Sequence, residues 1–297
     1  MDLRGIYPAL TTPFAADGSV ALEDLEQNVR RYNTTDVAGY TVLGSTGEAV
    51  LLTAVEMDAI LATAKESADA SKKLIAGTGA ESTSETIRLS RRAAELGYHA
   101  VLVRTPSYYK PMYGPEVYSE YYRAVADASP IPVLIYSIPQ FTGVTLETKA
   151  ILALAEHRNI AGIKESSGVI ERVEEVATAA KDFQVLTGSA SQICASLAAG
   201  ARGAVLALAS ALPEKCVAVY DLYRRERWEQ AKELQWMLAK ASQAIVTECG
   251  IAGVKFVMDM RGYRGGIPRL PLLPLAEEQK TRLREMLMLL EPAAARN

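Results

Sequence analysis

Lys164 is the residue with the most chemistry in its position. It closes the apolar run Ile160-Ala161-Gly162-Ile163, and strand alternation sets it on the opposite face from Ile163. A water-exposed lysine has a pKa near 10.4, so only about one in 2,500 is a free amine at neutral pH. Burial favours the neutral amine, the form that attacks a carbonyl carbon to make a Schiff base. A lysine paired with a carboxylate, or one whose stem snorkels to a rim, fits the same position. Tyr136 ends a second run, Val133-Leu134-Ile135. Its phenol could carry protons on and off a carbinolamine or a substrate hydroxyl, or simply pack with its hydroxyl on backbone. Gly44-Ser45-Thr46-Gly47-Glu48 places two hydroxyls and flexible backbone N–H groups in one loop, which suits a carboxylate. It is not a Walker loop, because no Gly-Lys-Ser/Thr follows, and by itself it reads equally as a turn. Gly77-Thr78-Gly79 is a weaker phosphate cradle, and Tyr108-Tyr109 fits ordinary rim packing.

Other chemistries are short of residues. The chain has two histidines, His99 and His157, neither near another plausible metal ligand, which argues against a His-rich zinc site. A Ser-His-Asp triad would have to use one of those two. Cys194, Cys216 and Cys249 are an odd, widely spaced set, not a disulfide framework, so a reducing cytosol is the expected compartment. A formal net charge of −3, from 32 Lys+Arg and 35 Asp+Glu, gives no electrostatic reason to expect nucleic acid. No signal peptide and no membrane span are expected, since no apolar run follows the N-terminus and none reaches the length of a span.

The elements that must hold these residues alternate along the chain. Apolar, β-rich runs fall at 6–11, 39–43, 74–77, 100–104, 133–136, 160–164, 184–187 and 204–208. Segments with 3.6-residue periodicity lie between and after them, at 22–32, 55–68, 85–96, 115–126, 146–155, 170–180, 192–199 and 213–224. Thr53 with Glu56 and Ser82 with Glu85 read as capping boxes, and Gly97 and Gly200 as helix stops. Eight strand–helix units without a linker predict an α/β fold, a (β/α)8 TIM barrel over residues 1–226. A doubly wound sheet is the alternative. Residues 227–297 are expected to form a helical extension packed on the barrel, with helices at 228–247, 250–260 and 276–290 joined through a Gly/Pro-rich stretch at 261–274. Residues 292–297 read as a frayed tail. In such a barrel the active groups sit at the C-terminal strand ends, which is where Lys164, Tyr136 and the 44–48 and 105–111 loops fall.

In combination these loops resemble the dihydrodipicolinate synthase / N-acetylneuraminate lyase family of pyruvate-handling class I aldolases. The likeness runs from Gly5-Ile6-Tyr7-Pro8 and Thr11-Thr12-Pro13-Phe14 through Gly44-Ser45-Thr46-Gly47-Glu48 and Tyr136-Ser137-Ile138-Pro139 to Gly162-Ile163-Lys164-Glu165-Ser166. It implies that Lys164 forms the Schiff base, that Tyr136 transfers protons, and that Ser45 and Thr46 hold the 2-oxo acid's carboxylate, with Ser45 in the proton relay. It implies further that Ser166, Gly188 and Val205 belong to the substrate pocket. Tyr108 would reach across a tight dimer interface into the partner's site, in a homodimer or a homotetramer built as a dimer of dimers. Neither a metal nor an organic cofactor is implied.

The chain departs from the synthase pattern at several points. The arginine two residues after the proline of the Tyr136 motif is Phe141, the asparagine is Ser137, and the aromatic of the lysine-inhibition site is Ser107. Phenylalanine cannot supply a bidentate guanidinium. Ser107-Tyr108-Tyr109, Ser129-Pro130-Ile131-Pro132-Val133 and Gly188-Ser189-Ala190 are closer to 4-hydroxy-2-oxoglutarate aldolase, although that aldolase has asparagine at Thr46. The expectation is therefore cleavage of a 4-hydroxy-2-oxo acid to pyruvate and an aldehyde such as glyoxylate. One alternative is 4-hydroxy-tetrahydrodipicolinate synthase, joining pyruvate to aspartate semialdehyde. Another, of a different class, is a non-catalytic 2-oxo-acid sensor. Arg104, an unusual charge at the mouth, fits either a stand-in for the missing arginine or a structural salt bridge.

Overall fold

The computed structural model describes residues 1–290. Eight parallel strands form one sheet: β1 (Gly5–Pro8), β2 (Gly39–Val42), β3 (Lys73–Gly77), β4 (Ala100–Arg104), β5 (Val133–Ser137), β6 (Ile160–Glu165), β7 (Gln184–Thr187) and β8 (Gly203–Leu206). The ladder runs from β1 through β8 and back down to β2. The last seam closes between β1 and β2, where the Ala38 N–H donates to the Ile6 carbonyl and the Leu10 N–H to the Thr41 carbonyl, both at 2.9 Å. Closure into a TIM barrel excludes the open, doubly wound sheet.

Eight helices flank the strands: α1 (Leu22–Asn33), α2 (Ala54–Ser67), α3 (Thr83–Glu95), α4 (Pro115–Ala128), α5 (Thr148–Ala155), α6 (Ile170–Ala179), α7 (Ile193–Ala198) and α8 (Pro213–Arg224). Both halves of the Thr53–Glu56 capping box form at the start of α2. At α3 only half does: Ser82 accepts from the Glu85 N–H, while the Glu85 carboxylate turns to Arg88 at 2.7 Å. Gly97 and Gly200, at φ 80° and 100°, end α3 and α7 in the left-handed region that glycine enters at no steric cost.

Three helices follow: α9 (Trp228–Ser242), α10 (Gly250–Met260) and α11 (Glu277–Leu290). The α-helix expected over 228–247 stops at Ser242 and widens into a π-turn at Gln243–Glu248. There Gly253 brings α10 so close that a Cβ would lie 2.4 Å from the Ile245 carbonyl oxygen. β1 ends at Pro8, which has no N–H for the ladder, so only Ala9 of the expected continuation bridges to β2. Leu208, expected in β8, instead opens a one-turn helix, Leu208–Ala211. The expected tail at 292–297 lies outside the described residues. Among the described residues no helix is long and apolar enough to cross a membrane.

Burial divides into two layers. Inside the barrel Tyr7, Ile75, Leu102, Leu134, Leu186 and Val205 fill the axis. Between sheet and helices a larger cluster takes in Leu238 and Ile245 as well as Val254, Val257 and Met258 of α10, so the extension shares the barrel's core.

Candidate active site

The strand register builds the site. Arg104 on β4 lies opposite Tyr136 on β5, Tyr136 opposite Lys164 on β6, and Lys164 opposite Leu186 on β7. Laterally paired residues on parallel strands point the same way, about 4.8 Å apart. The side chains of Arg104, Tyr136 and Lys164 therefore share one inward layer at the C-terminal mouth.

Lys164 faces inward because β6 carries an irregularity. Val133 pairs with Ile160, but Leu134 pairs with Gly162, which leaves Ala161 as an extra residue. Strict alternation from the outward Ile160 would turn Lys164 out with it. The bulge resets the parity, so Ile163 packs in the outer cluster and Lys164 enters the barrel. Gly162 makes this possible, since a Cβ there would lie 2.2 Å from the Gln184 carbonyl oxygen of β7.

Lys164 is 5% exposed. Its Nζ donates to the Tyr136 Oη at 3.2 Å and lies 4.2 Å from the centre of that ring. Among the described residues no carboxylate pairs with it, so the sequence-level alternative of a lysine in an ion pair does not apply. The Tyr136 hydroxyl is in turn 3.4 Å from the Ser45 Oγ. Amine, phenol and serine hydroxyl thus form a chain from the axis to the rim, one that can pass a proton in either direction.

Gly188, after β7, leaves the room this arrangement uses. A Cβ there would lie 1.8 Å from the Ser166 Oγ and 3.3 Å from the Lys164 Cε. The Ser166 Oγ is buried with no hydrogen-bond partner among the described residues. Thr46 is 9% exposed, in the single turn Ser45–Gly47 beside Tyr136. Val205 lies deeper, in the inner cluster with Tyr7 and Leu186. Tyr108 stands apart: it is 77% exposed, its ring meets Tyr109 edge-on at 4.9 Å, and it has no hydrogen bond to Lys164, Tyr136 or Ser45. The histidines are elsewhere, with the His99 Nδ1 accepting from the Leu74 N–H and His157 beside Asp127.

Two cavities open from this layer. One of 220 Å³ is lined by Ser45, Gly79, Glu81, Arg104 and Tyr136. The other, 320 Å³, lies at the mouth between Ser45, Arg104, Phe141, Ile251 and Leu272. Arg104 is 2.7 Å from Glu81. Burial pulls the Glu81 carboxyl upward, but hydrogen bonds from the Tyr108 N–H, Arg104 and the Ser107 N–H outweigh it and hold the group below the usual range. Glu81 was not legible in the sequence, where it precedes a helix cap with no spacing to mark it. The contribution of Ile251 and Leu272 was equally hidden, because only the folded extension brings them to the mouth.

The loop carrying Ser45 and Thr46 is anchored from below. Glu48 holds φ 55°, and its buried carboxylate pairs with Lys255 of α10 at 2.5 Å and accepts the Arg269 N–H at 2.8 Å. Burial lowers the Lys255 ammonium, with Glu48 pulling it back up.

The model of the dihydrodipicolinate synthetase family matches residues 2–289. The 4-hydroxy-tetrahydrodipicolinate synthase of Methanothrix thermoacetophila is 35% identical over 286 residues, 96% of each chain. A probable mitochondrial 4-hydroxy-2-oxoglutarate aldolase of Emericella nidulans is 36% identical over 287 residues, 95% of this chain and 93% of that one. The crystal structure of dihydrodipicolinate synthase from Aquifex aeolicus superposes with a TM-score of 0.92 at 30% identity, covering 97% of this chain and 98% of that one. A monomeric dihydrodipicolinate synthase variant gives 0.90 at 28%, covering 96% of each. With the barrel, the mouth and the lysine–tyrosine layer in place, these matches assign the chain to the dihydrodipicolinate synthetase family of aldolase-type lyases.

Proposed function

We propose that the protein makes or breaks a carbon–carbon bond between pyruvate and an aldehyde through a Schiff base on Lys164. The observation that carries this is the buried, carboxylate-free Lys164 bonded to Tyr136, itself in reach of Ser45. The Lys164 amine attacks the C2 carbonyl, and loss of water leaves an iminium. In cleavage, Tyr136 takes the proton of the 4-hydroxyl, the C3–C4 bond breaks, and its electron pair moves into the iminium to give an enamine. The aldehyde departs, C3 is protonated, and water releases pyruvate and the free amine. Condensation is the same path reversed. The iminium is the electron sink, so the cycle needs no metal or organic cofactor.

Ser45 and Thr46 are proposed to hold the 2-oxo acid's carboxylate, and Ser166, with its unspent hydroxyl, a second substrate oxygen. The relatives support condensation of pyruvate with aspartate semialdehyde better than they support the cleavage reading. Phe141, lining the mouth in place of an arginine, favours cleavage of 4-hydroxy-2-oxoglutarate to pyruvate and glyoxylate as the second reading. A dimer or dimer of dimers in which Tyr108 completes the partner's site goes with either. So does the reducing cytosol expected from the odd, widely spaced cysteines Cys194, Cys216 and Cys249.

Borohydride reduction in the presence of pyruvate should add a stable mass to the peptide containing Lys164, and Lys164→Ala should abolish both the adduct and turnover. Wild-type rates in Lys164→Ala would refute the mechanism. Rescue of a strain that requires diaminopimelate identifies the synthase; pyruvate release from 4-hydroxy-2-oxoglutarate identifies the aldolase. Imine formation with turnover in neither assay would leave the sensor.

A further inference from the structure

We infer that Arg104 is the specificity-determining residue of the mouth and receives a carboxylate at the far end of the substrate or aldehyde partner; this rests on the Schiff-base reading of Lys164. The inference comes from accounting for the polar groups around the mouth cavity. Glu48 is committed to Lys255 and the Arg269 N–H. The Thr142 hydroxyl donates to the Ile138 carbonyl at 3.1 Å, and Ser45 belongs to the Tyr136 relay. Glu81 accepts from the Arg104 Nη1 at 2.7 Å, the Ser107 N–H at 2.8 Å, the Tyr108 N–H at 2.9 Å and, at 3.5 Å, the Ser107 hydroxyl, which commits that cavity-lining group as well.

Arg104 is left with donors to spare. Its Nη1 serves Glu81 and, at 3.4 Å, the Thr105 carbonyl, while Nε and Nη2 have no hydrogen-bond partner among the described residues. Those two nitrogens form the edge of the guanidinium that matches a carboxylate bidentately. The unspent capacity is all donor, so the group it fits is an acceptor. Phe141, Ile251 and Leu272 also line the cavity and offer no competing side-chain hydrogen bond.

Position and reach agree with this. Arg104 lies two strands from Lys164 in the same layer, about 10 Å along the sheet, a span that a five-carbon 2-oxo acid on the Lys164 amine and the arginine side chain can close together. The arginine's place is kept by Gly79, where a Cβ would lie 2.4 Å from the Arg104 N and 2.8 Å from its Cγ. Glu81 acts as a positioning residue. It neutralises the ion pair overall, so the site selects by the geometry of the free edge more than by net charge.

The test compares two chains of equal length, 2-oxoglutarate and 2-oxopentanoate, which differ only in a distal carboxylate or methyl. Each is titrated in the borohydride trapping assay on the intact protein, with pyruvate as the reference. The wild type should trap 2-oxoglutarate at a half-saturating concentration at least about tenfold lower, the worth of a charge-assisted pair. Arg104→Met should erase the difference while pyruvate trapping persists. Arg104→Lys keeps the charge and loses the fork, should retain only part of the preference, and decides the matter should the Met variant not fold. A wild type without the preference, or an Arg104→Met variant that keeps it, would overturn the inference alone. Failure of the wild type to trap pyruvate on Lys164 would overturn the Schiff-base reading and this inference with it.

Discussion

At the scale of single residues, Tyr136 is the hinge of the proposed chemistry, because its hydroxyl touches both the amine and Ser45. Tyr136→Phe removes that hydroxyl and keeps the ring over Lys164. Turnover should fall about 10²–10⁴-fold, the usual worth of a positioned proton-transfer group, while borohydride still captures pyruvate slowly on Lys164. Loss of kcat below tenfold in steady-state kinetics would remove Tyr136 from the proton path. Gly188 makes a different kind of contribution, by absence. Gly188→Ala drives a methyl into the Ser166 side chain and against the lysine stem. The cost should be about 1–3 kcal/mol in chemical denaturation, together with weaker pyruvate trapping. Adding Ser166→Gly should restore the stability; if it does not, the clash lies elsewhere. Lys164, Tyr136 and Ser45 could be found from the sequence because they end apolar runs or share a polar loop. Glu81 could not, since its role exists only where two loops meet.

At the scale of elements, β6 and the 44–48 loop carry the candidate residues Lys164, Ser45 and Thr46, and they differ in how far sequence predicts them. The eight strands were legible from periodicity. The parity of β6 was not legible from its start, because alternation counted from Ile160 points Lys164 the wrong way until Ala161 is absorbed as a bulge. Only Gly162 hinted that β6 and β7 approach too closely for a side chain. The loop is held by the extension, long-range contacts that no local pattern encodes. Arg269 ties its own backbone N–H to Glu48 and its guanidinium to Glu56 of α2 at 2.6 Å. That guanidinium holds the Glu56 carboxyl down at about 2, against an ordinary 4.5. Between those values the unfolded chain binds the extra proton, so the pair's stabilisation is full above pH 4.5 and is lost as pH falls toward about 2. Glu56→Gln keeps a side chain able to complete the capping box and removes the charge. At neutral pH it should destabilise the protein by on the order of 1–2 kcal/mol after allowance for solvent screening. The gap between variant and wild type, followed by denaturant melts at successive pH values, should close across that acid window. A gap independent of pH would mean that the ion pair contributes nothing.

At the scale of the whole molecule, the mouth of a single chain is rimmed by large uncovered side chains: Tyr108 at 77% exposure, Met112 at 77%, Phe141 at 70% and Tyr109 at 57%. The proposed dimer would cover this surface; Val55, Leu270 and Trp236 are as exposed elsewhere on the chain, so exposure alone does not locate an interface. A monomeric member at 28% identity keeps assembly from being taken as a property of the fold itself. The proposed dimer makes a sharper claim than association, namely that Tyr108 acts in the partner's site. Two singly inactive variants test it, Lys164→Ala and Tyr108→Phe, mixed and exchanged under conditions that reassort subunits. In a mixed dimer the Tyr108→Phe chain supplies Lys164 and the Lys164→Ala chain supplies Tyr108, which completes one of the two sites. Random reassortment of an isologous pair should then recover about a quarter of wild-type turnover per site. A mixture that sediments as dimers and stays inactive would place the Tyr108 hydroxyl's part in its own chain, and a Tyr108→Phe variant active by itself would leave the ring only its packing on Tyr109.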